Sequence, residues 1–129
     1  MPDLPLHCVV LHHEGMGLPH YDLLFETAPG SALATWRADR WPVQSGDYTV
    51  RTPDHRPLYL SYEGPISSDR GHVRRVFEDA GCEVSIQEAQ FEVRFSDGTG
   101  LRMTQEGDQW VCQFIPLPLQ TEKSVMPVT

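Results

Sequence analysis

The chain has 129 residues, 40% hydrophobic and 22% charged, with a formal net charge of −8. That length suits one domain with a real buried core, and no apolar run approaches the roughly 20 residues of a membrane-spanning helix, so no membrane partner is expected. The acidic balance excludes a surface that coats nucleic acid broadly, because phosphate backbones repel a field of that sign, but it leaves room for a local basic groove.

The first ten residues, MPDLPLHCVV, carry an early acid and no basic residue, unlike a signal peptide, and a cytoplasmic location is expected. Leu6–His12 is a mostly apolar run of strand length, and HYDLLFE (20–26) alternates strictly. Tyr21, Leu23 and Phe25 fall on one face of that strand, and His20, Asp22, Leu24 and Glu26 on the other. ALATWRA (32–38) and DYTVRT (47–52) read as further strands, and PLYLSYE (57–63) alternates again. SDRGHVRRVFEDAG (68–81) fits either a helix with Val73, Val76 and Phe77 on one side or a strand followed by a turn. FEVRFSDGTGLRM (91–103) predicts a hairpin whose Asp97-Gly98 turn is of the primed type, with Phe91, Val93, Phe95, Leu101 and Met103 sharing a face. EGDQ (106–109) then turns the chain into a last strand, QWVCQF. Residues 1–115 are therefore expected to form an all-β domain, a small antiparallel β-barrel of short strands with at most one short helix. The Pro-rich, aperiodic segment 116–129 is expected to be an arm or tail outside the core. Cys8, Cys82 and Cys112 form no CxxC pair and sit in apolar or alternating runs, so they read as buried free thiols.

Chemistry concentrates in HHEGMGLPHYD (12–22). His20 and Asp22 are two apart on a strand, so both leave the same face. His13 precedes a stretch whose two glycines and proline can double the chain back. Two nitrogens and one oxygen can then converge on one ion with positions left open, a donor set that suits Mn²⁺ or Zn²⁺ better than Ca²⁺. A surface strand with a histidine capping a turn is the plainer alternative. His55 follows a Thr-Pro-Asp turn and, taken alone, reads as a loop histidine bonded to backbone. Tyr59 reads alone as a packing residue with a wet hydroxyl.

VVLHHEGMGLPHYDLLFE (9–26) resembles the metal-binding signature of the 3′-phosphoesterase domain of bacterial DNA ligase D and its stand-alone relatives. LATWRADRWP is similar to that family's Trp-containing segment, with Trp36 matching the Trp and Arg40 in the place of a lysine. PDHRPLYLSYEGPI resembles the family's following segment, with His55, Tyr59, Glu63 and Gly64 in register, and GDQWVCQF resembles its closing strand. The matched segments run from about Val9 to Phe114. The resemblance implies a small β-barrel with its site in a surface groove and a manganese ion held by His13, His20 and Asp22. It implies that His55 binds the scissile phosphate and supplies a proton, that Tyr59 contacts the phosphate or supports a residue that does, and that Arg40 stands in for the lysine. The implied activity is the healing of nucleic-acid 3′ ends, in which a terminal ribonucleoside is removed and a 3′-phosphate is hydrolysed. A DNA-repair ligase or polymerase is the implied protein partner.

Two departures separate this chain from the family pattern. Leu24 and Asp47 stand where the family has arginines, and Arg51, four residues before His55, is a candidate substitute. The turn between His13 and His20 is also one residue longer than is usual in the family. A metal-dependent phosphoesterase and a non-catalytic metal- or phosphate-binding module of the same fold are the two readings that result. A weaker third reading is an enzyme for another phosphorylated or small anionic substrate.

Overall fold

The computed structural model describes residues 5–117. They form β1 (Leu6–Glu14), β2 (His20–Glu26), β3 (Leu33–Ala38), β4 (Tyr48–His55), β5 (Gly64–Pro65), β6 (His72–Ile86), β7 (Gln90–Arg94), β8 (Gly100–Glu106) and β9 (Gln109–Ile115), with one 3₁₀ turn at Pro57–Leu60. Every pairing is antiparallel, in the order β1-β2-β3-β4-β9-β8-β7-β6-β5. β1 also pairs with β6, so eight strands close into a ring and β5 extends it at one side. The fold is all-β, as the alternation predicts, and its ring-like closure removes the unpaired edges that would invite aggregation. No helix among the described residues is long and apolar enough to cross a membrane.

Strand alternation gives the ring two apolar faces. Inside it, Phe25, Trp36, Phe91 and Trp110 cluster, with Trp36 4.5 Å from Phe91 and 5.4 Å from Trp110 between ring centroids. Burying each of these side chains stabilises the fold by roughly 2–3 kcal/mol. Outside it, Val9, Leu11, Leu24, Leu33 and Val73 form a second cluster, covered by Tyr59, Leu60, Tyr62 and Ile66 from the 3₁₀ turn and the segment after it. Backbone pairing of Gly64 with Val73 and of Pro65 with His72 holds this cover down. The Arg75 guanidinium donates to the Leu60 carbonyl at 3.4 Å, and the Glu63 carboxylate accepts from the Arg75 N–H at 2.7 Å.

Three segments differ from their sequence expectation or resolve it. Residues 72–86 are a long strand rather than a helix, because β1 supplies a ladder from His72 to Cys82 and β7 from Glu83 to Ile86, with bulges to keep register. PLYLSYE is a 3₁₀ turn and an extended crossing rather than a ladder strand, since Pro57 has no N–H to contribute and its apolar side chains have the outer cluster to cover. The β7–β8 turn is not of the primed two-residue type. Gly98 alone has positive φ, at 92°, and its N–H donates to the Phe95 carbonyl, as in a three-residue loop with a glycine in the left-handed region. Of the expected C-terminal arm, residues 118–129 lie outside the described residues.

The three cysteines are free and buried. Cys8 and Cys82 approach to 3.1 Å between sulfurs across β1 and β6, and that hydrogen bond together with burial holds the Cys8 thiol far above its ordinary range. Thiols so placed are poor nucleophiles and poor metal ligands at neutral pH.

Leu24 is wholly enclosed in the outer cluster, facing Val9 across β1–β2. Leu24→Arg should therefore force an uncompensated charge under the cover and destabilise the protein by roughly 3–5 kcal/mol. A urea melt at pH 7 checks this.

Candidate metal centre

The β1–β2 register places His13 directly opposite His20 and Leu11 opposite Asp22. Alternation turns His13, His20 and Asp22 to the outer face, at the polar end of the same surface that carries Val9, Leu11 and Leu24. The turn between the strands is pressed against the one before β6. A Cβ on Gly71 would lie 2.0 Å from the Glu14 carbonyl oxygen, and one on Gly15 2.9 Å from the Gly71 Cα, so both positions need glycine. Both also hold positive φ, 87° at Gly15 and 82° at Gly71. This close approach carries the Arg70 carbonyl to His13.

Hydrogen bonding then sets the tautomers. His13 Nε2 is 2.7 Å from the Arg70 carbonyl, which can only accept, so Nε2 carries the hydrogen and Nδ1 presents its lone pair. That Nδ1 lies 3.6 Å from Asp22 Oδ2. His20 Nδ1 donates in the same way, more weakly, to the Leu18 carbonyl at 3.4 Å. Its Nε2 lies 3.2 Å from Asp22 Oδ1 and, although buried, has no hydrogen-bond partner. Burial lowers the His20 pKa below the ordinary 6.5, against an opposing pull from Asp22 and with the Arg37 charge adding to the depression. His13 Nδ1, His20 Nε2 and the Asp22 carboxylate thus face one another, with ligand atoms all within 4.8 Å. Ligands bonded at about 2.1 Å to one ion sit roughly 3–3.5 Å apart, close to the two histidine–aspartate separations. The three residues fit a divalent metal ion, and carbonyl bonds to the far ring nitrogens are the usual means of aiming such ligands.

His55 reaches the same cleft through a bulge. Leu33 pairs with His55 and Thr35 with Thr52, so three steps along β4 oppose two along β3. The extra residue reverses the side-chain parity, and His55 turns outward. Its Nδ1 lies 3.1 Å from Thr35 Oγ1, whose own hydrogen goes to the Leu33 carbonyl, and 3.3 Å from the Pro53 carbonyl. Nδ1 is therefore the donor, and Nε2 is left for other partners. Tyr59 packs edge-on against the His55 ring at 5.5 Å. His13, Asp22, His55, Tyr59, Met16 and Arg70 all line one cleft of about 140 Å³.

The two expected arginines lie elsewhere. Arg51 sits on β4 before the bulge, opposite Trp36, with its guanidinium 4.5 Å from that ring and 3.2 Å from Asp54. Arg40 forks onto Asp47 at 2.6 and 2.8 Å. Neither lines the cleft. Sequence reasoning passed over the Arg70 carbonyl, which has no side-chain signature. It also passed over Arg37, which stands opposite Asp22 across β2–β3 and becomes visible only once that register is known.

Two outcomes follow. Gly71→Ala, which removes no ligand, should displace the Arg70 carbonyl and weaken divalent-metal affinity about 10- to 100-fold, measured by calorimetry. Hydrogen bonds from Arg40 and from the Gln44 N–H hold the Asp47 carboxyl at about 2, against an ordinary 3.8. A carboxylate depressed in this way favours the folded state above pH 3.8 and loses that contribution as pH falls toward 2. Arg40→Ala should return the Asp47 titration toward 3.8 in a carbon-detected NMR experiment.

No known family model matches the chain, and no curated protein matches it significantly.

Proposed function

We propose that this chain is a metal-dependent phosphoesterase acting on the 3′ ends of nucleic acid, removing a terminal ribonucleoside or a 3′-phosphate, with Mn²⁺ as its ion. The observation that carries this reading is the cleft that brings His13 and Asp22, two members of the His13, His20 and Asp22 donor set, together with His55. A divalent ion bound there supplies a Lewis acid for a phosphoryl oxygen and a bound water of lowered pKa. His13 and His20 contribute neutral nitrogens without adding charge, and Asp22 offsets one unit of the ion's charge, so the centre stays net positive toward an anionic ester. His55, held at Nδ1 by Thr35 and Pro53, offers Nε2 to bind a phosphoryl oxygen as a cation or to protonate the leaving oxygen. Tyr59 packs against the His55 ring. The net charge of −8 restricts nucleic acid to a local approach by its end. The product is a 3′-hydroxyl, the group on which ligases and polymerases act, and a DNA-repair enzyme of either class is the protein partner that this chemistry suits.

A binding module without turnover is the second reading. It is favoured by the packing role of Leu24 and by the engagement of Arg40 with Asp47 and of Arg51 with Trp36, which leave the cleft without those arginines.

Primers ending in a 3′-phosphate or a 3′-ribonucleotide, incubated with protein and Mn²⁺, separate the two readings. The phosphoesterase converts both to 3′-hydroxyl ends. Asp22→Ala should lose metal and turnover together, and His55→Ala should keep metal while turnover falls about 100-fold or more. Metal binding and end binding without any product would establish the module instead. A protein that takes up no divalent metal would sink the phosphoesterase, and one that also binds no 3′-phosphate end would sink the module as well.

A further inference from the structure

The guanidinium of Arg70, which lines the cleft, is bonded within its own turn, and one residue on the same face as the donor set is placed to meet an anion instead. Arg37 is the direct cross-strand neighbour of Asp22, a position about 5 Å away at Cβ and on the same side of the sheet. Thr35, two residues earlier on that face of β3, is the residue that holds His55. Arg37 and His55 therefore border the Asp22 position from the β3 side, one beside it and the other toward the covered end. Arg37 is exposed, and it makes no salt bridge or side-chain hydrogen bond to any described residue. That is unusual for an arginine directly opposite a carboxylate. The reason is that Asp22 is buried and turned toward His13 and His20, whereas Arg37 faces solvent. Arg37 is thus a charge next to the donor set whose fork of N–H groups is taken by no described residue.

Resting on the metal-centre reading above, we infer that Arg37 is the anion-binding residue of this site and takes the phosphoryl oxygens of the substrate in a forked contact. It would do so from β3, one strand over from the metal-binding aspartate. A guanidinium suits this role because it matches two phosphoryl oxygens at once and stays charged throughout the working pH range. Its exposure, at the lip of the centre, also fits a chain whose overall charge repels nucleic acid, since a single cation there acts at short range without requiring a basic surface. Arg70, the arginine that lines the cleft itself, donates within its own turn to Ser67 and serves the centre through its carbonyl.

The test uses the full chain loaded with Mn²⁺ and inorganic phosphate as the probe, with paramagnetic broadening of the phosphorus resonance as readout. Wild type, Arg37→Ala, Arg37→Lys and a charge-matched control, Arg94→Ala, are compared after confirming equal urea midpoints. Arg37→Ala should weaken phosphate binding 10- to 100-fold and leave Mn²⁺ affinity equal or slightly higher. Arg37→Lys should recover only part of the loss, because an ammonium restores the charge but not the fork, and Arg94→Ala should match wild type. Phosphate binding that is equal in wild type and Arg37→Ala, with Mn²⁺ bound in both, overturns the Arg37 assignment and leaves the metal centre standing. Bound Mn²⁺ with no phosphate broadening in wild type at millimolar phosphate does the same. Failure of wild type to bind Mn²⁺ overturns the centre and the assignment together.

Discussion

The pairing register of β1 with β2 is the constraint on which the rest of the site depends. It sets His13 against His20 and puts Asp22 beside both. A slip of one residue would carry every one of these groups to the other side of the sheet and bring Tyr21, Leu23 and Phe25 out of the core. The same register therefore serves two ends. It buries the inner aromatic cluster, which stabilises the ring, and it aims the donor atoms outward. Neither can change without the other, so the energy that holds the core together also holds the ligands in place.

The outer face is divided along its length. At one end Val9, Leu11, Leu24 and Leu33 are sealed by the crossing segment with Tyr59 and Leu60, and at the other the imidazoles and carboxylate converge. The seal matters to the polar end. It brings Tyr59 and Ile66 into one cleft with His13 and Asp22. It also carries Tyr59 to His55. The turn before β6 closes the other side, where the contact of Gly15 with Gly71 lets a backbone carbonyl choose the His13 tautomer. A site of three ligands is thus supported by groups from two further segments.

Charge is distributed sparingly around this centre. Leu24 fills a place where an arginine would have to be buried, and Arg40 and Arg51 are occupied by Asp47, Asp54 and the Trp36 ring. In the proposed chemistry the cationic partner of the substrate comes instead from the neighbouring strand, at a position exposed to solvent. An exposed guanidinium exacts less desolvation than one under the cover, and it leaves the apolar seal intact.

Local alternation and turn residues determined the all-β class, the strands around the site, the buried thiols and the likeness of His13, His20 and Asp22 to a ligand set, because each depends on side chains a few residues apart. Tertiary structure alone decided the rest. The strand at 72–86 exists because β1 and β7 lie alongside it, and PLYLSYE becomes a cover because an apolar outer face awaits it. Counting by twos puts Arg51 and His55 on one face, but a bulge that only the β3 ladder reveals separates them. The role of Arg37 is equally hidden, since its partner Asp22 lies fifteen residues away and nothing in the intervening chain encodes their pairing. Periodicity reports which face a residue takes within its own strand, and the folded sheet decides which residues from other strands share that face.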